Sequence, residues 1–255
     1  RKNLEMKNAD FPTVVGIDEH FFTRRRGFAT TFCNLKTNKV FDLAMGRSKE
    51  SLRAYLMGCR GREKVKVAVI DLSETYRSII KEFFPNAMIV ADRFHVIRLV
   101  NHHFLKAWQL IDPHNRKNKG LLKLMRYHEW NLRPEQRIRI QQYLYAHPEF
   151  DAVYRFKQNL CQLLIKKHQT ARQFKQLIPL FLEEIKQLKE CNFNPLIELG
   201  NTIDSWKEEI LRMLRFTKSN GVTEGFHNKM EMMTRRAYGF RNFQNYRMKV
   251  RVMCA

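Results

Sequence analysis

The run Thr13-Val14-Val15-Gly16-Ile17-Asp18-Glu19-His20-Phe21-Phe22 constrains the fold more than any other stretch of the chain. Apolar, β-branched side chains at this density specify a strand in the middle of a sheet, with both faces covered. One carboxylate, Asp18, stands where such a strand would favour another valine. A carboxylate there is costly unless it is paired, hydrogen-bonded or bound to a cation. Taken alone, a strand-end Asp facing solvent is an equally good reading. The same anomaly recurs at Asp71 and at Glu224.

Downstream of this strand, Arg24-Arg25-Arg26-Gly27 and Lys36-Thr37-Asn38-Lys39 read as turns. They leave Phe28 to Leu35 and Val40 to Met45 as strands of an antiparallel meander. Ser48 caps an expected helix to about Cys59, with Leu52, Tyr55 and Leu56 inward. The alternation Val65-Lys66-Val67-Ala68-Val69-Ile70 is the clearest strand signal, and Asp71 closes it. Ser73 caps a helix from Glu74 to Phe84, stopped at Pro85, and Ala87 to Val90 forms a short buried strand ending at Asp92. Three meander strands followed by helix–strand–helix–strand make an α/β mixed sheet.

After Asp92 the pattern changes to helical spacing. Ile97, Val100, Phe104, Trp108 and Ile111 form one stripe, which Asp112-Pro113 ends. Pro134, Pro148 and Pro195 read as first-turn prolines of later helices. Ala171 to Leu188 gives another stripe, with a kink expected at Pro179, and Trp206, Ile210, Met213 and Leu214 the next. Residues 101–215 therefore read as an all-helical block whose stripes are core. The expected organisation is a linker over 1–12, a first core segment over 13–100, the helical block, and a final helix with a basic C-terminus over 216–255. In that last part Asn220 or Thr223 is a candidate cap. Val222, Phe226, Met230, Met233 and Ala237 line a face suited to the sheet, and Glu224, His227, Asn228, Glu231 and Arg235 line another. Gly225, a poor helix former, suggests close backbone approach beside Glu224.

Composition narrows the partner. The chain carries 47 Lys+Arg against 25 Asp+Glu, a formal charge of +22 over 255 residues. Such an excess favours a polyanion, most simply nucleic-acid phosphates. No apolar run approaches the roughly 18 residues of a spanning helix, and no signal peptide opens the chain, so the reading is no membrane. Five dispersed cysteines without a Cys-x-x-Cys pair argue against structural zinc and for a reducing compartment. The chain opens on a charged segment with no initiator Met, as a fragment or processed product would.

Three carboxylates thus fall on the first strand (Asp18), at the end of the fourth (Asp71) and on the last long helix pattern (Glu224). In a ribonuclease H-like sheet, ordered 3-2-1-4-5, the first and fourth strands are neighbours and a late helix packs across them. Two Mg²⁺ ions about 3.5–4 Å apart need shared carboxylates of this kind to hold the attacking and leaving oxygens of a phosphodiester.

The runs Gly16-Ile17-Asp18-Glu19, Asp71-Leu72-Ser73-Glu74-Thr75-Tyr76-Arg77, Ala91-Asp92-Arg93-Phe94-His95-Val96 and Asn220-Gly221-Val222-Thr223-Glu224-Gly225-Phe226-His227-Asn228-Lys229 resemble those of a bacterial insertion-sequence transposase of the DDE type, ISL-three group. The run Arg235-Arg236-Ala237-Tyr238-Gly239-Phe240-Arg241-Asn242-Phe243 is the most specific part. The resemblance extends from about Thr13 onward. It implies that Asp18, Asp71 and Glu224 are a catalytic, metal-binding triad, and that the helical block is an insertion between the fifth strand and the last helix. The 153 residues from Asp71 to Glu224 are far too many for a plain strand–helix connection. It also implies a zinc-binding segment and a helix-turn-helix ahead of the catalytic domain. This sequence holds neither, so reading of transposon ends is expected to need more than this chain.

The expected reaction is metal-dependent strand cleavage and strand transfer on double-stranded DNA, at transposon ends and target, by a homodimer in the bacterial cytoplasm at the nucleoid. Mg²⁺ is the expected cofactor, with Mn²⁺ the alternative. The competing readings are a ribonuclease H-fold nuclease that only hydrolyses, and a non-catalytic DNA-binding descendant, against which the intact carboxylates argue. Asp92, His95, His227 and Asn228 are candidate supporting residues. Glu231 is the rival third ligand, while Asp42 and Glu19 read as solvated strand-face charges. From Arg212 onward ten Lys/Arg face two acids. Arg235, Arg236, Arg241, Arg247, Lys249 and Arg251 read as a phosphate track, with the interleaved aromatics mainly core.

Overall fold

The computed structural model describes residues 9–216 and 220–254. The first eight residues of the expected linker, together with Thr217, Lys218, Ser219 and Ala255, lie outside the described residues. By internal packing the described chain divides into two compact units. One runs up to Phe94 and resumes at Asn220; the other spans His95 to Phe216.

The first unit is built on five strands: β1 (Val14–Thr23), β2 (Gly27–Asn34), β3 (Lys39–Met45), β4 (Val67–Ile70) and β5 (Met88–Ala91). Their order is β3-β2-β1-β4-β5, the expected ribonuclease H-like arrangement. β1 pairs antiparallel with β2, placing Asp18 opposite Thr31. It pairs parallel with β4, placing Gly16 opposite Val69. The β4 and β5 side chains are buried except Met88, as central parallel strands require.

Between the strands run α1 (Lys49–Met57) and α2 (Glu74–Phe83). Ser48 and Ser73 cap them as the sequence suggests, accepting from the amides of Ser51 and Tyr76. Leu52, Leu56, Ile79, Ile80 and Phe83 point inward; each such buried side chain contributes about 1.5–3 kcal/mol. At the C-terminus, α10 (Gly221–Arg236) packs on β1 and α11 (Phe243–Cys254) packs on β3. Among the described residues, the chain from α3 (Arg93–Ile111) to α9 (Lys207–Arg215) holds helices and no strand.

That helical unit keeps the expected punctuation. Pro134, Pro148 and Pro195 occupy the first turns of α5 (Pro134–Tyr145), α6 (Pro148–Leu164) and α8 (Asn194–Ser205). Pro179 sits inside α7 (Ala171–Glu190), which continues through it. The α7–α8 pair is close: a Cβ on Gly200 would stand 2.8 Å from Leu188 Cβ. Lys157 is a buried charge here: it donates its Nζ to the carbonyls of Met125 and Tyr127 at 3.1 and 2.9 Å. Burial lowers its pKa to about 8.

Two sequence expectations are corrected. Asp42, read as solvated, is 7% exposed. The Arg247 guanidinium grips it in fork geometry, with Nε to Oδ1 at 2.7 Å and Nη2 on Oδ2, and Arg251 Nε lies 3.9 Å away. Burial of the carboxylate is tolerated because a planar donor pair satisfies it. Gly225, read as a close-approach position, is exposed, and an added Cβ there would meet nothing within 4 Å.

Candidate active site

The close-approach glycine is Gly16. A Cβ there would stand 2.2 Å from Asn220 Oδ1 and 2.9 Å from a Leu35 methyl. Through that gap Asn220 docks the start of α10 onto the sheet. Its Nδ2 donates to the carbonyl of Ile17 at 2.9 Å, immediately before Asp18. Its own amide donates to Asp92 Oδ1 at 3.1 Å. Thr223 Oγ1 donates to Asn220 Oδ1 at 2.6 Å. Asn220 thus stands at the helix start, as expected of a cap, but its side chain makes no capping bond. Asp92, 1% exposed just past β5, holds Asn220.

These contacts place α10 beside the C-terminal end of the parallel pair. Gly16 and Val69 face each other across β1 and β4, and Asp18 and Asp71 lie two residues beyond them on their respective chains. Asp18 Oδ1 accepts the Glu19 amide at 2.8 Å. Its Oδ2 lies 3.9 Å from His227 Nδ1, with both side chains largely covered. His227 comes one turn after Glu224, which is exposed in the first turn of α10. The buried side of α10 is Thr223, Met230 and Met233; Ala237, expected on the sheet face, is exposed. His95 lies in the first turn of α3 and opens the second unit.

A chain of side chains extends from Asp18 into the unit. His227 Nε2 lies 3.1 Å from Thr31 Oγ1, Thr31 Oγ1 lies 3.0 Å from His20 Nδ1, and His20 Nε2 lies 2.9 Å from Tyr246 Oη. Desolvation pushes His227 down to about 4. Burial, with His227 nearby, pushes His20 down to about 3. Both imidazoles are therefore neutral near pH 7. The Thr31 hydroxyl has one proton, so it can donate to at most one of the two rings, and at least one ring must donate to it. Beside His227 opens a cleft of about 310 Å³ between β1 and α10.

The sequence pattern did not reveal Thr31, His20, Tyr246 or Asn220 as members of this site. The legible signal was Gly16, a glycine inside a β-branched strand, which marks a bulge or close backbone approach. Of the expected phosphate track, Arg247 and Arg251 are engaged with Asp42, and Arg235 reaches Glu231 at 2.6 Å. Arg236, Arg241 and Lys249 are exposed.

The donor set Asp18, Asp71 and Glu224 is all oxygen, the hard ligand chemistry of Mg²⁺. Among the described residues, no three His, Cys, Asp or Glu side chains are gathered closely enough to hold a metal ion. The oxygen chemistry of these three side chains fits a divalent cation.

The profile of the ISL3-type DDE family, described as Transposase, matches residues 15–250. The chain belongs to this family. The transposase for insertion sequence element IS1001 of Bordetella parapertussis is 23% identical, over 98% of this chain and 64% of its own length. The transposase for insertion sequence element IS1557 of Mycobacterium tuberculosis is 22% identical, over 90% of this chain and 57% of its own length. The chain thus spans about three-fifths of these relatives. The match runs through both units, so the helical unit is part of what this ISL3-type chain shares with the family profile. No helix among the described residues is long and apolar enough to cross a membrane.

Proposed function

We propose that this chain is the catalytic part of an insertion-sequence transposase that cleaves DNA at transposon ends and joins the freed 3′-OH to target DNA. Asp18, Asp71 and Glu224 are the ligands in this reading, for two Mg²⁺ ions or Mn²⁺ in their place. The observation that carries it is the parallel register of β1 and β4, which ends two residues before Asp18 and Asp71 on neighbouring strands. Asn220 holds the helix bearing Glu224 against the same strand.

Bound divalent ions supply Lewis-acid stabilisation of the attacking and leaving oxygens. The chain's own groups do the rest. The Glu19 amide orients Asp18 through Oδ1. Neutral His227 flanks Oδ2 without cancelling the carboxylate's charge. Asp92 and Asn220 fix the approach of α10, while Arg236, Arg241 and Lys249 attract backbone phosphates. His95 and Asn228 are further supporting candidates. Residues 101–215 act in this proposal as a helical insertion, and the working form is a homodimer on duplex DNA at the bacterial nucleoid.

The test is incubation of the full-length protein with labelled candidate end DNA and Mg²⁺. Joined products are expected; nicks without joining would replace transfer by hydrolysis, and salt-insensitive DNA binding would remove the phosphate-track reading. Asp71→Asn and Glu224→Gln should each abolish cleavage, with double variants no worse than singles because the groups act as one unit. Glu231→Gln, whose native side chain pairs with Arg235 on the helix surface, should be mild. Wild-type activity in Glu224→Gln with loss in Glu231→Gln would overturn the assignment of the third ligand.

A further inference from the structure

The cleft beside His227 has a chemistry unlike the rest of this cationic chain. Its lining includes His20, Phe21, His227, Asn228, Glu231 and Tyr246, and no Lys or Arg. The protein carries +22 overall, yet the lining of this hollow has no Lys or Arg of its own, and its one acid, Glu231, already holds Arg235 at 2.6 Å. The walls thus offer no unengaged cation to a phosphate. Its volume, about 310 Å³, lies at the small end of the roughly 300–1,000 Å³ of ligand pockets.

The ring edges are already committed. Both nitrogens of His20 are taken by Thr31 and Tyr246. His227 directs Nε2 to Thr31 and Nδ1 toward Asp18. The Tyr246 hydroxyl is used by His20. Three of the four imidazole nitrogens and the Tyr246 hydroxyl are thus hydrogen-bonded already, so these rings line the cleft with little free polar capacity. Phe21 adds a large ring that is 56% exposed, steadied edge-on by Phe28 at 5.7 Å. Asn228, exposed on α10, brings a side-chain amide with one donor and one acceptor edge, and no hydrogen bond from that amide is made among the described residues. Flat apolar walls, no cation and one donor–acceptor amide suit a neutral planar heterocycle.

We propose that this cleft takes a single unpaired nucleobase of the DNA strand, stacked on Phe21 and hydrogen-bonded along one edge by Asn228. The inference rests on the DNA-cleaving reading above, which supplies the nucleic acid. Position supports it, because Asn228 stands one turn beyond Glu224 on the same helix, and the His227 ring touches both the cleft and the Asp18 neighbourhood. An extruded base in this hollow fixes the register of the strand relative to the carboxylates. The phosphates on either side of it stay outside the hollow. An enzyme that must reach an atom inside a duplex gains selectivity from a base that leaves the stack easily.

The test uses full-length protein and two otherwise identical duplexes. One carries a single unpaired 2-aminopurine; the other has an abasic residue at the same place. The expected result is about tenfold tighter binding of the base-bearing duplex, the scale of one base–aromatic stack, with a change in 2-aminopurine fluorescence on binding. Phe21→Ala and Asn228→Ala should each shrink the preference, and Phe21→Tyr should keep it. Equal affinity of the wild-type protein for the two duplexes overturns the proposal without needing any variant to fold. A preference unchanged in both Phe21→Ala and Asn228→Ala overturns it too. Mg²⁺-dependent cleavage measured in the same samples separates the two readings: cleavage without base preference removes the cleft alone, and base preference without cleavage removes the catalytic reading alone.

Discussion

Asp18 and Asp42 lie on the same sheet, on β1 and β3, and their side chains are almost equally covered, at 14% and 10% exposure. Their surroundings differ in kind. Asp42 is gripped by the Arg247 guanidinium, with Arg251 behind it, so its charge is neutralised and β3 is fastened to α11. Asp18 meets the Glu19 amide and an imidazole that burial keeps neutral. A bidentate guanidinium fastens a carboxylate in place. One acid joins β3 to α11; the other stands on β1 just past the paired ends of β1 and β4, in the register that also brings up Asp71.

The largest stability effect should come from the fastening. Asp42→Asn leaves two covered guanidinium groups short of their anion and should cost about 3 kcal/mol of folding stability, read by denaturant unfolding. Cleavage per folded molecule should survive. A melting point equal to wild type would show that Arg247 contributes nothing to the join and would erase the contrast.

Next in size is the helix dock. Gly16→Ala forces a methyl into Asn220 Oδ1 and Leu35 and should cost about 2 kcal/mol, in the range of overpacked cores. Asn220→Ala opens the gap instead, leaves the Ile17 carbonyl without its donor, and should cost about 1–3 kcal/mol. The double variant Gly16→Ala, Asn220→Ala should be less damaging than the sum, because the collision disappears with the amide. Strict additivity would contradict the close approach.

Thr31→Val keeps the shape but removes the hydroxyl shared by His20 and His227, and should cost about 1 kcal/mol. Cleavage should fall more than stability, since His227 loses what steadies it beside Asp18. The same pair of rings also sets a pH dependence. Both imidazoles have folded pKa values below their ordinary 6.5, about 3 for His20 and 4 for His227. The unfolded chain therefore binds more protons as pH falls. Their contribution is fully present above pH 6.5 and is lost progressively toward pH 4 and below. Melting points at pH 7.5, 5.5 and 4.5 should decline, and His227→Gln should flatten the decline.

The sheet was legible in the sequence because its strands are encoded locally, by β-branched alternation and by turns such as Arg24-Arg25-Arg26-Gly27. The helix caps Ser48 and Ser73 and the first-turn prolines were legible for the same reason. Asp18, Asp71 and Glu224 stood out as charges in apolar patterns, the order of the strands followed from likeness to a ribonuclease H-like sheet, and the triad role came from the family resemblance. What stayed hidden depends on partners far away in sequence. Asn220 reaches Ile17 across 203 residues and Asp92 across 128. Arg247 reaches Asp42 across 205, so an acid on a strand looked solvated. Gly16 and Gly225 both sit beside expected catalytic carboxylates, and only the fold shows that Gly16 is the crowded one.

The contrast between the two acids is tested most directly by one paired assay. Asp18→Asn and Asp42→Asn, in the full-length protein, are each measured for unfolding and for Mg²⁺-dependent cleavage of labelled end DNA. Asp18→Asn should keep the fold, unfolding within about 1 kcal/mol of wild type, and should cleave nothing detectable. Asp42→Asn should show the reverse, destabilised but active while folded. Cleavage by Asp18→Asn at the wild-type rate would contradict the account.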